Sequence, residues 1–220
     1  MNSGRAIARP FFSPMLAAMD DERIEILSRE TGYSGFFRID RYRLRHRKYD
    51  GSWTGELTRE VFERGHAAAA LLWDERIDAV VLIEQFRLPA YLAGCPAWQL
   101  EIVAGIIDRD ETPEAVARRE IVEETGLAPI GELVPIHRIM PSAGGSTETV
   151  HLFLARVDAS GAGGIHGLKD ENEDIRVVVL PFEAALARAE AGGIQNSYAL
   201  VALWWLAAHR QRLRSASTGS

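Results

Sequence analysis

The chain of 220 residues has a single cysteine, Cys95. No intrachain disulfide can form, nothing points to an oxidising compartment, and a lone thiol with no base beside it reads as a packed side chain. Positive charge is not in excess either. With 25 Lys and Arg against 31 Asp and Glu the net charge is −6, which argues against a general nucleic-acid binder, although a local basic site is compatible with it. A long apolar run is also missing. The most apolar stretch, "YALVALWWLAA" from Tyr198 to Ala208, falls short of the roughly 20 residues a spanning helix needs. It reads as a buried helix in which Trp204 and Trp205 pack in a core or between subunits. Neither His66 nor His151 has a second histidine at ligand spacing, so both read as structural. No internal repeat is present, and the expectation is a cytoplasmic protein with neither a nucleic-acid nor a membrane partner.

What is present is a real core: 47% of the residues are apolar, enough for one large domain or two modest ones. Residues 1–20 carry Arg5 and Arg9 and no acid before Asp20, the charge pattern of a targeting peptide, but Pro10 and Pro14 interrupt any apolar segment there. A disordered extension over 1–20 is expected, and a second over 213–220, where "SASTGS" offers little surface to bury.

Between these ends the pattern is mixed. "GFFRIDRYRLRHRKY", 35–49, places Phe37, Ile39, Arg41, Arg43 and Arg45 on one side and Phe36, Arg38, Tyr42 and Leu44 on the other. That is a strand with a basic edge; the turn signal "DGS" and a second strand, "TREVFER", follow it. Residues 21–64 therefore read as a small β subdomain, and 65–212 as the main domain. In the latter, "HAAAALLWD", "DAVVLIEQF", "WQLEIVAGI", "VPIHRIM", "TVHLFLARV" and "IRVVVLPF" read as strands, with helices over "PFEAALARAEAG" and 196–212. Strands with helices between and after them make an α+β or α/β sandwich.

One further helix carries the chemistry. Thr112 suits its N-cap, Pro113 its first turn and Gly126 its end, while the capping box is absent because Ala115 stands at the third helical position. On this helix Glu120, Glu123 and Glu124 share one face, and Val122 and Ala115 point away from it, leaving the other side to pack on a sheet. Alone, such a stripe is a solvated face. Carboxylates one turn apart are also the hard oxygen ligands that magnesium needs, and crowded acids repel one another unless cations or Arg119 offset them.

The spacing around these acids decides between the two. "GIIDRDETPEAVARREIVEETGL", 105–127, matches at Gly105, Glu111, Arg119, Glu120, Ile121, Glu123, Glu124, Gly126 and Leu127 the pattern Gly-x5-Glu-x7-Arg-Glu-U-x-Glu-Glu-x-Gly-U, with U aliphatic. The chain thus resembles the Nudix hydrolases. The resemblance implies the Nudix fold, an α+β protein built as an α/β/α sandwich, here with a small N-terminal β subdomain. Beyond the box, "LTREVFERGHAAA", "VVLIEQFR", "LEIVAGIID", "PSAGGSTE" with Pro141, and "GLKDENEDIRV" are similar to bacterial ADP-ribose pyrophosphatases.

That resemblance implies magnesium-dependent hydrolysis of ADP-ribose, or another ADP-sugar, to AMP and ribose 5-phosphate, with manganese as a substitute metal. It implies Glu120, Glu124, Glu173 and the Ala104 carbonyl as metal ligands, and Glu111, Arg119 and Glu123 as their support. It places the general base at Glu171, with Asp174 and Asp170 as alternatives. Arg87 is expected on the diphosphate, Ser142 and Glu148 on the substrate, and Phe36, Phe37, Arg59 and Glu60 on the adenosine across a homodimer that exchanges N-terminal subdomains. Two rivals stand beside it: hydrolysis of another nucleotide sugar such as GDP-mannose, and a sensor that binds ADP-ribose without cleaving it. The intact box and the lack of a basic module weigh against the sensor.

Overall fold

The computed structural model describes residues 21–217 apart from 109, 169 and 171. The expected extension over 1–20 lies outside the described residues. The chain divides into two units: residues up to 66 together with 140–149, and 67–139 together with the remainder from 150.

The first unit is an antiparallel sheet in the order β1 (Ile24–Ser34), β2 (Arg38–His46), β3 (Leu57–Glu63). The expected pair is there, but β1 is an additional strand. It is exposed along most of its length and is broken by irregularities between Ile26 and Ser28 and between Thr31 and Tyr33, so it carries no two-residue alternation to read. The basic row of β2 is neutralised by its neighbours: Arg41 pairs with Glu30 and Glu60, Arg43 with Glu56 and Arg45 with Glu25. On the other face Asp40 is fully buried and accepts from Arg29, Arg38 and Thr31. Burial opposes its charge, but those donors outweigh it and hold its carboxyl below the ordinary value.

The segment 140–149, expected in the main domain, belongs to this unit. It lies along β3: the Phe62 N–H donates to the Gly145 carbonyl at 2.8 Å, the Thr147 N–H to the Phe62 carbonyl at 3.2 Å, and Thr147 Oγ1 to Glu63 Oε2 at 2.7 Å. The Thr149 N–H donates to His66 Nδ1 at 3.2 Å, a structural use of that histidine.

The second unit is built from β4 (Ala67–Asp74), β5 (Ala79–Phe86), α1 (Leu88–Leu92), β6 (Trp98–Glu101), β7 (Val103–Ile106), α2 (Pro113–Thr125), β8 (Ile130–Ile139), β9 (Val150–Arg156), β10 (Ile165–His166), β11 (Ile175–Pro181), α3 (Phe182–Glu190) and α4 (Ser197–Ser217). Its eight-stranded mixed sheet runs β10-β11-β5-β4-β9-β8, with β6 on β5 and β7 on β4. Every residue of β4 is buried because both faces are covered. Ala67, Ala69, Leu71 and Trp73 meet the core formed with α3 and α4, and Ala68, Ala70 and Leu72 meet the core formed with α2. This is the expected α/β/α sandwich. α4 runs to Ser217, so the boundary expected at residue 212 falls inside a helix whose Leu213 still packs on the core. No helix among the described residues is long and apolar enough to cross a membrane.

One detail positions the site. β4 and β5 pair only where residues 72–74 face 79–81. Beyond that they part, and the chain from Trp98 to Ile106 fills the fork, first pairing with β5 and then, after Ile102, with β4. Ala104 and Gly105 come to lie under α2 in this way.

Candidate active site

α2 forms as its punctuation directs. Thr112 Oγ1 accepts from the Ala115 N–H at 3.2 Å, Pro113 begins the helix, and Gly126 ends it in the left-handed region at φ 69°. Its buried residues are Val116, Ala117, Ile121, Glu124 and Thr125. This corrects the expected packing face: Val122 and Ala115 are exposed. The acids lie beside the buried face rather than opposite it, so Glu124 enters the protein with Ile121.

Arg119 organises the other acids. Its Nη1 donates to Glu120 Oε1 at 2.8 Å and to Glu123 Oε2 at 2.9 Å, and its Nε to Glu111 Oε1 at 3.2 Å. Burial disfavours the guanidinium charge, but these carboxylates outweigh that and hold its pKa above the ordinary value. Glu111, Arg119 and Glu123, expected as supporting residues, are thus joined with Glu120 in one ion-paired cluster.

Glu120 and Glu124 face β7. Glu120 lies over Gly105, where a Cβ would stand 1.8 Å from Oε1 and 2.5 Å from Cγ. Glu124 Oε2 accepts the Ala104 N–H at 3.1 Å. Glu124 is 4% exposed, and its carboxyl is pushed up to about 9, first by burial, opposed by the Ala104 N–H, and then by the charges of Glu120 and Glu173. Burial also raises the Glu120 carboxyl, against Arg119. Glu173 is exposed; its Oε2 accepts the Leu168 N–H at 3.0 Å, close over Gly167 at φ 98°.

These donors fit a hard divalent cation. All are carboxylates; those of Glu120 and Glu124 are desolvated, and the charges of Glu120 and Glu173 bear on Glu124, a situation that a bound cation relieves. Among the described residues no group of three or more His, Cys, Asp or Glu is gathered closely enough to hold a metal by itself. The expected base, Glu171, lies outside the described residues, while Asp170 and Asp174 are exposed.

Arg87 follows β5. Its Nε donates to both oxygens of Glu101, at 3.2 and 3.1 Å, and its Nη2 to Oε2 at 2.7 Å. The charges of Glu124 and Glu173 in turn act on it. Glu101 was not expected from sequence, although a glutamate on the same alternating face as core Val103 is a signal in itself.

Phe36, Phe37, Arg59, Glu60, Ser142 and Glu148 all lie in the first unit. Phe36, 86% exposed, packs edge-on to Phe37 at 4.7 Å, and Phe37 to Phe62 at 5.0 Å. Glu148 is buried, with Arg64 Nη1 3.4 Å from its Oε1 and the Arg64 guanidinium over the Phe37 ring. Arg64 was not expected from sequence; its role comes from the segment 140–149 lying along β3. Arg59 donates to the Thr58 carbonyl, Glu60 accepts from Arg41, and Ser142 is exposed at the turn that the Ser146 N–H closes on its carbonyl.

The profile of the NUDIX domain matches residues 63–201. Over 192 residues the chain is 48% identical to the ADP-ribose pyrophosphatase of Escherichia coli (strain K12), covering 87% of this chain and 91% of that protein. It is 42% identical over 150 residues to the GDP-mannose pyrophosphatase of Enterobacter sp. (strain 638), covering 67% and 76%. A crystal structure described as an ADP compounds hydrolase superposes with a TM-score of 0.66 at 20% identity, over 88% of this chain and 96% of that one, a likeness of fold.

Proposed function

The chain belongs to the NUDIX family, and on that premise we propose that it is an ADP-ribose diphosphatase, hydrolysing the diphosphate of ADP-ribose to AMP and ribose 5-phosphate. The assignment rests on one arrangement: Glu120 seated on Gly105 and Glu124 pinned by the Ala104 N–H, two desolvated carboxylates presented side by side from the box helix.

Glu120, Glu124 and Glu173, with the Ala104 carbonyl, would hold the divalent cations, magnesium or in its place manganese. Bound there, such cations neutralise diphosphate charge, polarise phosphorus and acidify water. Arg119 keeps Glu120 and Glu123 in place from within the helix. Arg87 takes the diphosphate through the part of its guanidinium that Glu101 leaves open. Glu171, assigned from the family resemblance alone, receives the proton of the attacking water, with Asp174 and Asp170 as its alternatives.

In the first unit Phe36, exposed and backed by the half-buried Phe37, offers an aromatic face to a purine, and Arg59 and Glu60 stand on β3 opposite Tyr42 and Arg41 of β2. Glu148, steadied by Arg64, accepts from ribose hydroxyls, and Ser142 assists. These residues serve the active site of a second copy in a homodimer that exchanges N-terminal subdomains, and the enzyme works in the cytoplasm. The likeness to a GDP-mannose pyrophosphatase supports a second reading, hydrolysis of that nucleotide sugar.

Incubation with magnesium and a panel of nucleoside diphosphate sugars separates the two. AMP and ribose 5-phosphate from ADP-ribose are expected. Intact ADP-ribose beside hydrolysed GDP-mannose establishes the second reading, and tight binding of uncleaved ADP-ribose makes the protein a sensor.

A further inference from the structure

Glu101 ends β6 opposite Ile83 of β5, and its side chain is buried. Alternation places Ile83, Gln85 and Arg87 in one row and Gln99, Glu101 and Val103 in the row facing it. At Ile83 and Val103 that face is apolar core. Past them it turns polar, and the polar groups converge on a single carboxylate. Oε1 accepts from Arg87 Nε and from Asn196 Nδ2 at 3.2 Å. Oε2 accepts from Arg87 Nε and Nη2 and from Gln85 Nε2 at 3.3 Å. A buried carboxylate is tolerated only with partners of this kind.

The partners are themselves fixed. Gln85 belongs to the β5 ladder, and Asn196 Oδ1 accepts the Ala199 N–H at 3.0 Å at the start of α4. The Arg87 N–H donates to the Ala97 carbonyl at 2.7 Å, which extends the β5–β6 pairing to the arginine itself. Two strands and the mouth of a helix therefore determine where one guanidinium lies. Its Nε edge is occupied, whereas Nη1 has no hydrogen-bond partner among the described residues and the side chain is 44% exposed. The charges of Glu124 and Glu173, two of the candidate metal-site carboxylates, act on Arg87, so the guanidinium lies within their field.

We propose that Glu101 is a positioning residue for the reaction: it grips Arg87 by the Nε edge and so presents the remaining N–H groups to the substrate diphosphate in one orientation. The inference rests on Arg87 contacting the diphosphate, as proposed above. A free arginine at the end of a strand samples many rotamers and loses that freedom when it binds; the grip removes this loss beforehand.

A double-mutant cycle on kcat/KM for ADP-ribose with magnesium tests it, using E101Q, R87Q and the pair, with thermal melts to verify folding. The Gln amide keeps the shape and one acceptor oxygen but removes the charge and sets an NH2 group against an arginine that can only donate, so the two-oxygen grip fails. E101Q alone is expected to lower kcat/KM roughly 10- to 100-fold, the scale of a misplaced substrate-orienting group. In the R87Q background the same change is expected to alter it less than about twofold, because coupled residues are not additive. A folded E101Q with wild-type efficiency while R87Q is impaired overturns the proposal, as does an equal loss in both backgrounds. If R87Q itself has wild-type efficiency, the diphosphate role of Arg87 falls and takes this inference with it, a result distinct from the other two. Should E101Q not fold, E101D is read in the same cycle by the same criteria.

Discussion

Gly105 and Glu120 stand in a relationship of exclusion: the space a Cβ on Gly105 would fill is already occupied by the glutamate's Oε1, Cδ and Cγ, at 1.8, 2.2 and 2.5 Å. The requirement is one of room rather than of backbone freedom, since Gly105 is not among the glycines with positive φ. The first residue of the box and Glu120 are therefore a single device.

Alanine at position 105 should keep the fold and displace Glu120. A loss of roughly 100-fold in kcat is expected from a misplacement of about 1 Å. Steady-state kinetics of G105A beside its thermal melt check this; unchanged kcat would show that Glu120 does not need its floor.

Glu124 should account for much of the protein's response to cations. At magnesium about 100-fold above its dissociation constant, a single site adds about 2.7 kcal/mol of stability, a rise in Tm of roughly 5–10 °C for a chain of this size. E124Q should lose most of that rise and nearly all turnover. Differential scanning calorimetry with and without magnesium measures it, and an undiminished shift in E124Q would remove the glutamate from the metal site.

Arg119 balances three carboxylates, Glu111, Glu120 and Glu123. It is partly exposed, so R119A is expected to cost only about 1 kcal/mol of stability, but to lower kcat/KM more than that loss suggests, because Glu120 is released. R119K should keep the stability better than the activity, since ammonium cannot serve three acceptors with the same planar fork. Urea melts and kinetics on both variants separate the two effects.

Asp74 should shape the acid limb of stability. Hydrogen bonds from Arg76, chiefly, hold its carboxyl at about 2 against an ordinary 3.8, overcoming burial with help from the Ala159 N–H. The folded value lies below the unfolded one, so the stabilisation is fully present above about pH 4 and is lost as pH falls towards about 2. Since Arg76 is exposed, the contribution is put at about 1 kcal/mol. D74N should be less stable than the wild type at neutral pH by that amount, with the gap narrowing in urea melts carried into acid.

The box helix was legible in the sequence because its determinants are local. Thr112, Pro113 and Gly126 act within one turn of where they stand, and the spacing of Glu120 and Glu124 becomes a shared face as soon as the helix forms. The central strand was legible for a similar reason: an unbroken apolar run can only be covered on both sides. β1 was not, since an exposed, irregular strand has no period to detect.

What the sequence by itself determined is the chemistry on offer: box carboxylates spaced to share one helix face, a helix with both its ends marked, and enough apolar residues for a three-layered core. The tertiary structure decided which groups are neighbours. It turned Val122 and Ala115 outward and Glu124 inward, laid the segment 140–149 along β3 so that Arg64 meets Glu148, and closed Glu101, Gln85 and Asn196 around Arg87. Caps and spacings act over one or two turns, where residue types suffice. The partners of a buried charge come from strands and helices far apart in the chain, and only folding fixes their distance.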